Sequence, residues 1–196
     1  FRGISQTQNG MALQGGADYS HKSGLYVGNW NSTVSNHMYT DSTGLEMDLY
    51  GGYKMEVAKG LKLDVGSYNY VYSQAGNKFG SNSNTNELYV GLEQGPVALK
   101  YSRSISDYFG VANSKGSTYT DLSANFDLGS GYTLTPHIGY QYVKKSVGGS
   151  YTDYGLTLAK DLGEGSARLA GHVTQAHHHV TLLRLFLRDH LNHIEQ

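Results

Sequence analysis

The chain has 196 residues, with 16 acidic side chains against 15 Lys and Arg, 26 Gly, 17 Tyr, 2 Pro and no Cys. That length suits one domain, and the missing cysteine excludes a disulfide framework, a thiolate metal site and a cysteine nucleophile. A pI near 6.8 gives a nucleic-acid partner no electrostatic support. No run of about eighteen apolar residues occurs, so no transmembrane helix is expected. The mean hydropathy of −0.45 does not argue against membrane strands, because lumen-facing residues dilute the average of an alternating segment.

In chain order, residues 1–7 (FRGISQT) read as the end of a strand. The first residue is Phe1 rather than Met, so an upstream segment carrying an export signal is expected. Residues 8–10 turn the chain into a strand over 11–20, followed by a tight turn at 21–24 and a strand over 25–34 whose facing is ambiguous. After a polar loop, residues 43–72 give the clearest signal. Leu45, Met47, Leu49, Tyr53 and Met55 alternate with Glu46, Asp48, Tyr50 and Lys54. Beyond a turn near 57–60, Leu61, Leu63, Val65 and Val71 fall on one side and Lys62, Asp64, Tyr68 and Tyr70 on the other. A period of two means a strand with unlike faces. Each arm exceeds the common globular strand and is long enough to cross a bilayer at a tilt.

Similar segments follow at 86–93, 97–105, 117–128, 132–143, 151–162 and 166–174. Pro136 would lose a ladder bond inside its strand, so an irregularity is expected there. The connections alternate strictly: short at 21–24, 57–60, 94–96, 129–131 and 163–165, longer at 35–42, 73–85, 106–116 and 144–150. This rhythm predicts an all-β, antiparallel up-and-down meander with its tight turns at one end, as in transmembrane β-barrels of the bacterial outer membrane. Eleven strands are legible, and the even strand number usual for such barrels asks for about twelve. In that reading the apolar face meets membrane lipid. The polar face lines a lumen through Glu46, Asp48, Lys54, Lys62, Asp64, Glu87, Lys100, Asp121, Asp127 and Arg168. Acids outnumber bases in this set, which predicts a weak cation preference. Tyr19, Tyr26, Tyr53, Tyr70, Tyr72, Tyr140, Tyr142 and Tyr151 lie near strand ends, as interfacial aromatic girdles would.

The opening string FRGISQTQNGMALQGGADYSHKSGLYVGNWNS, the EMDLYGGY of 46–53, and the later NELYVGLEQGPVALKYSRS and GSTYTDLSANFDLG resemble segments of the TorF-type porin family of proteobacterial outer-membrane proteins. The resemblance covers residues 1–165. It implies an outer-membrane barrel with a pore role; it supplies no ligand residues, because what such proteins pass is not established.

The end of the chain departs from that pattern, dividing it into a barrel domain at 1–174 and a tail at 175–196. In the tail, Leu183, Leu187 and Leu191 recur at helical spacing with Phe186 and Ile194 nearby, which predicts a helix; the alternative is a poorly alternating strand over VTLLRLFLR. His177, His178, His179, His190 and His193 are residue types that bind zinc or nickel. Consecutive histidines do not converge in a strand, however, and no acid is clearly placed as a fourth ligand, so no metal or other cofactor is expected. Neither GxSxG nor HExxH occurs, and the Gly-rich loop 73–85 lacks the Lys-Ser/Thr pair of a phosphate loop. The expectation is a non-enzymatic outer-membrane barrel acting as a passive pore for small polar solutes or ions, with no nucleic-acid partner. The alternative is a structural or surface-interaction barrel with a plugged lumen that binds through its outer loops.

Overall fold

The computed structural model describes residues 1–35, 42–74, 83–161, 165–174 and 179–189. Twelve strands follow in order: β1 (Gln14–Ser20), β2 (Leu25–Thr33), β3 (Ser42–Ala58), β4 (Leu61–Gln74), β5 (Thr85–Gln94), β6 (Val97–Ser104), β7 (Thr118–Ala124), β8 (Phe126–Gly129), β9 (Tyr132–Tyr142), β10 (Tyr151–Asp161), β11 (Gly165–Thr174) and β12 (His179–Asp189). They form one antiparallel sheet in which each strand pairs with its neighbours in sequence, and β8 prolongs β7 along the edge of β9. The long alternating hairpin of the sequence is β3–β4, in register from Glu46↔Tyr72 to Glu56↔Lys62. Among the described residues no ladder joins β1 to β12, so the sheet is not closed into a barrel.

Pro136 accounts for the break between β7 and β8. The ladder runs through Ser123↔His137 and resumes at Phe126↔Leu134, which leaves Ala124 and Asn125 opposite Pro136 and Thr135. Proline has no N–H to give to that edge. The backbone N–H of Asn125 instead donates to the carbonyl of Pro96, at 2.8 Å.

The two faces are sorted opposite to those of a water-soluble sheet. Leu49, Leu88, Leu99, Leu122, Ile138 and Leu156 are all more than two-fifths exposed, whereas Glu46, Asp48, Glu87, Gln141 and Asp153 are at most 3 % exposed. Side chains from non-neighbouring strands meet on the polar side. Tyr26 of β2 donates to Asp64 of β4 at 2.7 Å, and Lys54 of β3 pairs with Glu93 of β5 at 2.6 Å. Such contacts require a curled sheet with its polar face concave.

Glycines make room for this curl. Gly28 faces Tyr50, Gly52 faces Tyr26 and Gly66 faces Tyr89 across their ladders, while Tyr119 reaches Gly139 diagonally. A Cβ on any of these four glycines would overlap the outer end of the tyrosine. The rings therefore lie flat over bare backbone, the arrangement by which an aromatic side chain covers a glycine in a sheet.

Four expectations need correction. Residues 1–7 are not a strand; they form turns folded against the concave face, where Arg2 and Gln6 meet strand side chains. Tyr26, Tyr70, Tyr72 and Tyr151 do not belong to an outward girdle: Tyr70, Tyr72 and Tyr151 are buried, and Tyr26 hydrogen-bonds Asp64. Tyr19, Tyr140 and Tyr142 do lie on the exposed side. The turn expected at 57–60 is shorter, because β3 runs on to Ala58. Residues 179–189 are strand rather than helix, paired to β11 from Gly165↔Asp189 to Thr174↔His179. One extra residue sits on β12 where Ala170↔Arg184 gives way to His172↔Thr181. That bulge breaks the Leu/Arg alternation of 183–188 at Leu182, which is why the segment reads poorly as a strand. Pairing wins because it gives the backbone groups at the edge of β11 partners that a separate helix would leave to solvent.

Candidate functional site on the concave face

Two features crowd the half of the concave face nearest the long connections: the N-terminal turns and the loop between β6 and β7. Arg2 is the keystone. Its guanidinium donates to both carboxylate oxygens of Glu87, at 3.0 and 2.6 Å, to Oε1 of Gln141 at 2.9 Å, and at longer range to the hydroxyls of Tyr108 and Tyr70. It also lies 4.3 Å from the centroid of the Tyr119 ring. One side chain thereby ties the N-terminal segment to β4, β5, β7, β9 and the β6–β7 loop. The bidentate geometry and near-complete burial (9 % exposure for Arg2, 1 % for Glu87) make this a strong, directional pair. Phe1 packs edge-on against Tyr70 and Phe109. Gln6 donates to Glu46 at 2.6 Å, and its carbonyl accepts from the N–H of Ser35 at 2.7 Å.

Beneath the N-terminal segment lies a cavity of about 470 Å³. Its charged lining comprises Arg2 and Lys100 against Glu46, Asp48, Glu87 and Asp121; Trp30, Tyr68, Tyr89 and Tyr119 supply rings. Lys100 stands 3.8 Å over the Tyr89 ring. Further round the sheet, Nδ1 of His137 lies 2.9 Å from Asp121 and its Nε2 3.6 Å from the buried Asp153, which accepts a hydrogen bond from the Tyr119 hydroxyl at 3.1 Å. Chemically this is a surface of fixed charges, phenols and amides, groups able to replace part of an ion's hydration shell.

Of the residues singled out in the sequence, Glu46, Asp48, Glu87, Lys100 and Asp121 converge on this cavity. Asp64 does not line it, but accepts from Tyr26, whose hydroxyl meets that of the cavity-lining Tyr89. Lys54 and Lys62 instead share Glu93 near the short turns, at 2.6 and 3.8 Å, and are largely exposed. Asp127 stands apart: it is exposed and accepts the N–H of Gly129 in its own turn. Arg168 lies on β11 opposite Ala159 and Phe186. The histidines at 177, 178, 190 and 193 lie outside the described residues, among which no group of three His, Cys, Asp or Glu side chains is placed to hold a metal.

Sequence reasoning missed Arg2, Gln6, Tyr119, His137, Gln141 and Asp153. The last four obey the same alternation as the residues it found: Gln141 and His137 share parity on β9, and their registers face Tyr119, Ser123, Tyr151 and neighbouring inward positions. Arg2 and Gln6 carried no such signal, because they sit in turns where periodicity says nothing.

A family model described as "Bacterial protein of unknown function (Gcw_chp)" matches residues 1–183. No curated protein and no solved structure matches the chain.

Proposed function

The chain belongs to the bacterial Gcw_chp family, whose function is unknown, and we propose that it is an outer-membrane β-barrel whose polar interior passes small ions or polar solutes through a constriction made by its own N-terminal segment. The supporting observation is the inverted sorting of the sheet: a continuous apolar convex face, with carboxylates, amines and phenols on the concave one. A soluble protein rarely leaves so many large apolar side chains in water. A lipid-facing sheet needs them, and it also needs closure, because an unpaired edge in hydrocarbon is costly. Short connections at one end and long ones at the other fit the periplasmic and outer ends of such a barrel. The TorF-type resemblance points the same way.

Four carboxylates against two cations around the cavity favour cations over anions. In planar bilayers the purified chain is expected to give small, ohmic, weakly cation-selective channels. Neutralising Asp48 and Asp64 together (Asp48→Asn, Asp64→Asn) should move the reversal potential in a salt gradient toward zero selectivity. Channels with unchanged selectivity would contradict the assignment of these residues to the ion path.

A second reading rests on the Arg2 lock. If the N-terminal segment fills the interior permanently, the protein is a structural barrel that interacts through its long loops. Reconstituted protein that folds and inserts yet never conducts would establish that reading against the first.

A further inference from the structure

One buried group is left without a partner. Asp48, on β3, is 97 % buried, and its Oδ1 is the buried side-chain polar atom among the described residues that lacks a hydrogen-bond partner. Its other oxygen accepts from the Tyr68 hydroxyl at 3.2 Å. Two residues earlier on the same face, Glu46 is equally buried and accepts from Gln6 and from the Tyr72 hydroxyl. Among the described residues neither carboxylate is ion-paired, although both line the same cavity. A buried carboxylate oxygen without a donor is unfavourable, and a second acid beside it deepens the deficit.

We propose that Glu46 and Asp48 hold a hard divalent cation of the calcium class in this cavity. The donor chemistry selects that class. The lining offers carboxylate, amide and hydroxyl oxygens from Glu46, Asp48, Gln6, Gln14 and Ser5, with no sulfur and no imidazole, and oxygen-only sets of this kind suit calcium rather than zinc or copper. Tyr68 on one oxygen of Asp48, and Tyr72 and Gln6 together on one oxygen of Glu46, act as outer partners that fix the two carboxylates and leave the second oxygen of Asp48 without a donor. Because Gln6 belongs to the N-terminal segment, the ion would also fasten that segment in place. The proposal needs the concave face and its cavity; it does not need the passage.

The sole tryptophan provides the probe. Trp30 stands opposite Asp48 in the β2–β3 ladder and lines the same cavity, so Tb³⁺ bound there should be sensitised by ultraviolet excitation of Trp30. With the full chain folded in detergent, Tb³⁺ titration is expected to give saturable luminescence that Ca²⁺ displaces, and Ca²⁺ should raise the thermal midpoint relative to EDTA. Asp48→Asn and Glu46→Gln should each weaken Tb³⁺ binding at least about tenfold, while Asp127→Asn, at the β8–β9 turn, should not change it. Equal Tb³⁺ affinity in the wild type and a folded Asp48→Asn variant overturns the proposal. Should both carboxamide variants fail to fold, the wild type decides: a midpoint indifferent to Ca²⁺ and EDTA means that Asp48 is a neutral buried acid, and overturns it too. Protein that binds Tb³⁺ but never conducts would sink the passage and leave the site standing.

Discussion

Among the described residues, Arg2 ties together more of the concave face than its sequence position suggests. Its charge is matched by Glu87, its plane covers Tyr119, and its remaining donors reach Gln141, Tyr70 and Tyr108. Removing it leaves Glu87 buried and uncompensated, a change that typically costs about 3–5 kcal/mol. Arg2→Ala should therefore lower the denaturant midpoint substantially. If the N-terminal segment is the constriction, it should also raise single-channel conductance. Arg2→Lys should rescue only part of either effect, since a point charge cannot make the bidentate pair. A destabilised variant with wild-type conductance would show that the segment is a brace rather than a constriction.

The tyrosine–glycine contacts belong to the same scale. Gly28→Ala places a methyl group inside the volume of the Tyr50 ring and against the Asp18 carboxylate that accepts from its hydroxyl, so both side chains must give way. Overpacking of this kind costs roughly 1–3 kcal/mol. Combining it with Tyr50→Ala should give less than the sum of the two single losses, because the ring that makes the nearest contacts is gone and Asp18 no longer has its hydroxyl to hold it there. Additive losses in a chemical-denaturation cycle would mean that the pair does not act as a unit.

Among the elements, the strands of the middle of the chain were legible because their faces differ so sharply. Glu46 and Asp48 between Leu45, Met47 and Leu49 leave no other periodicity open. The short–long rhythm of connections likewise gave the meander order, but the irregularity expected on the strand of Pro136 falls on the facing one: β9 is unbroken, and the segment 117–128, read as a single strand, is split into β7 and β8. Two things were hidden. Residues 1–7 have strand-like composition, but their role is fixed by long-range polar contacts that no local pattern encodes. The tail hid its alternation behind the bulge at Leu182. If β12 is an integral strand, truncation after Thr174 exposes the edge of β11 and should abolish the cooperative thermal unfolding transition, with aggregation in its place. A truncated chain that folds and melts like the full one would return the tail to the status of an appendage.

At the scale of the whole molecule, the polar residues named from sequence were half of the concave face rather than all of it. Alternation identified the side that Glu46, Asp48, Glu87, Lys100 and Asp121 occupy but misplaced Asp127; it could not say that Glu87 would be paired to Arg2, or that Lys54 and Lys62 would both pair with Glu93. Pairing of that kind depends on curvature, which brings β2 to β4 and β3 to β5, and curvature follows from glycines whose importance shows only in register. The net effect is a small cavity with excess negative charge rather than a wide aqueous channel, so the account expects low conductance and cation preference together.

The absence of cysteine makes the central claim directly testable. Single cysteines introduced at Leu49, Leu99, Leu122 and Ile138, and at Ser102 and Asp64 on the opposite face, can be spin-labelled in protein reconstituted into lipid vesicles. The account expects labels at the first four positions to collide with oxygen dissolved in the bilayer and to be shielded from a water-soluble nickel chelate, with the reverse or mutual shielding at Ser102 and Asp64. Labels at Leu49 and Leu122 that are open to the nickel chelate, in protein shown to retain its sheet, would contradict it.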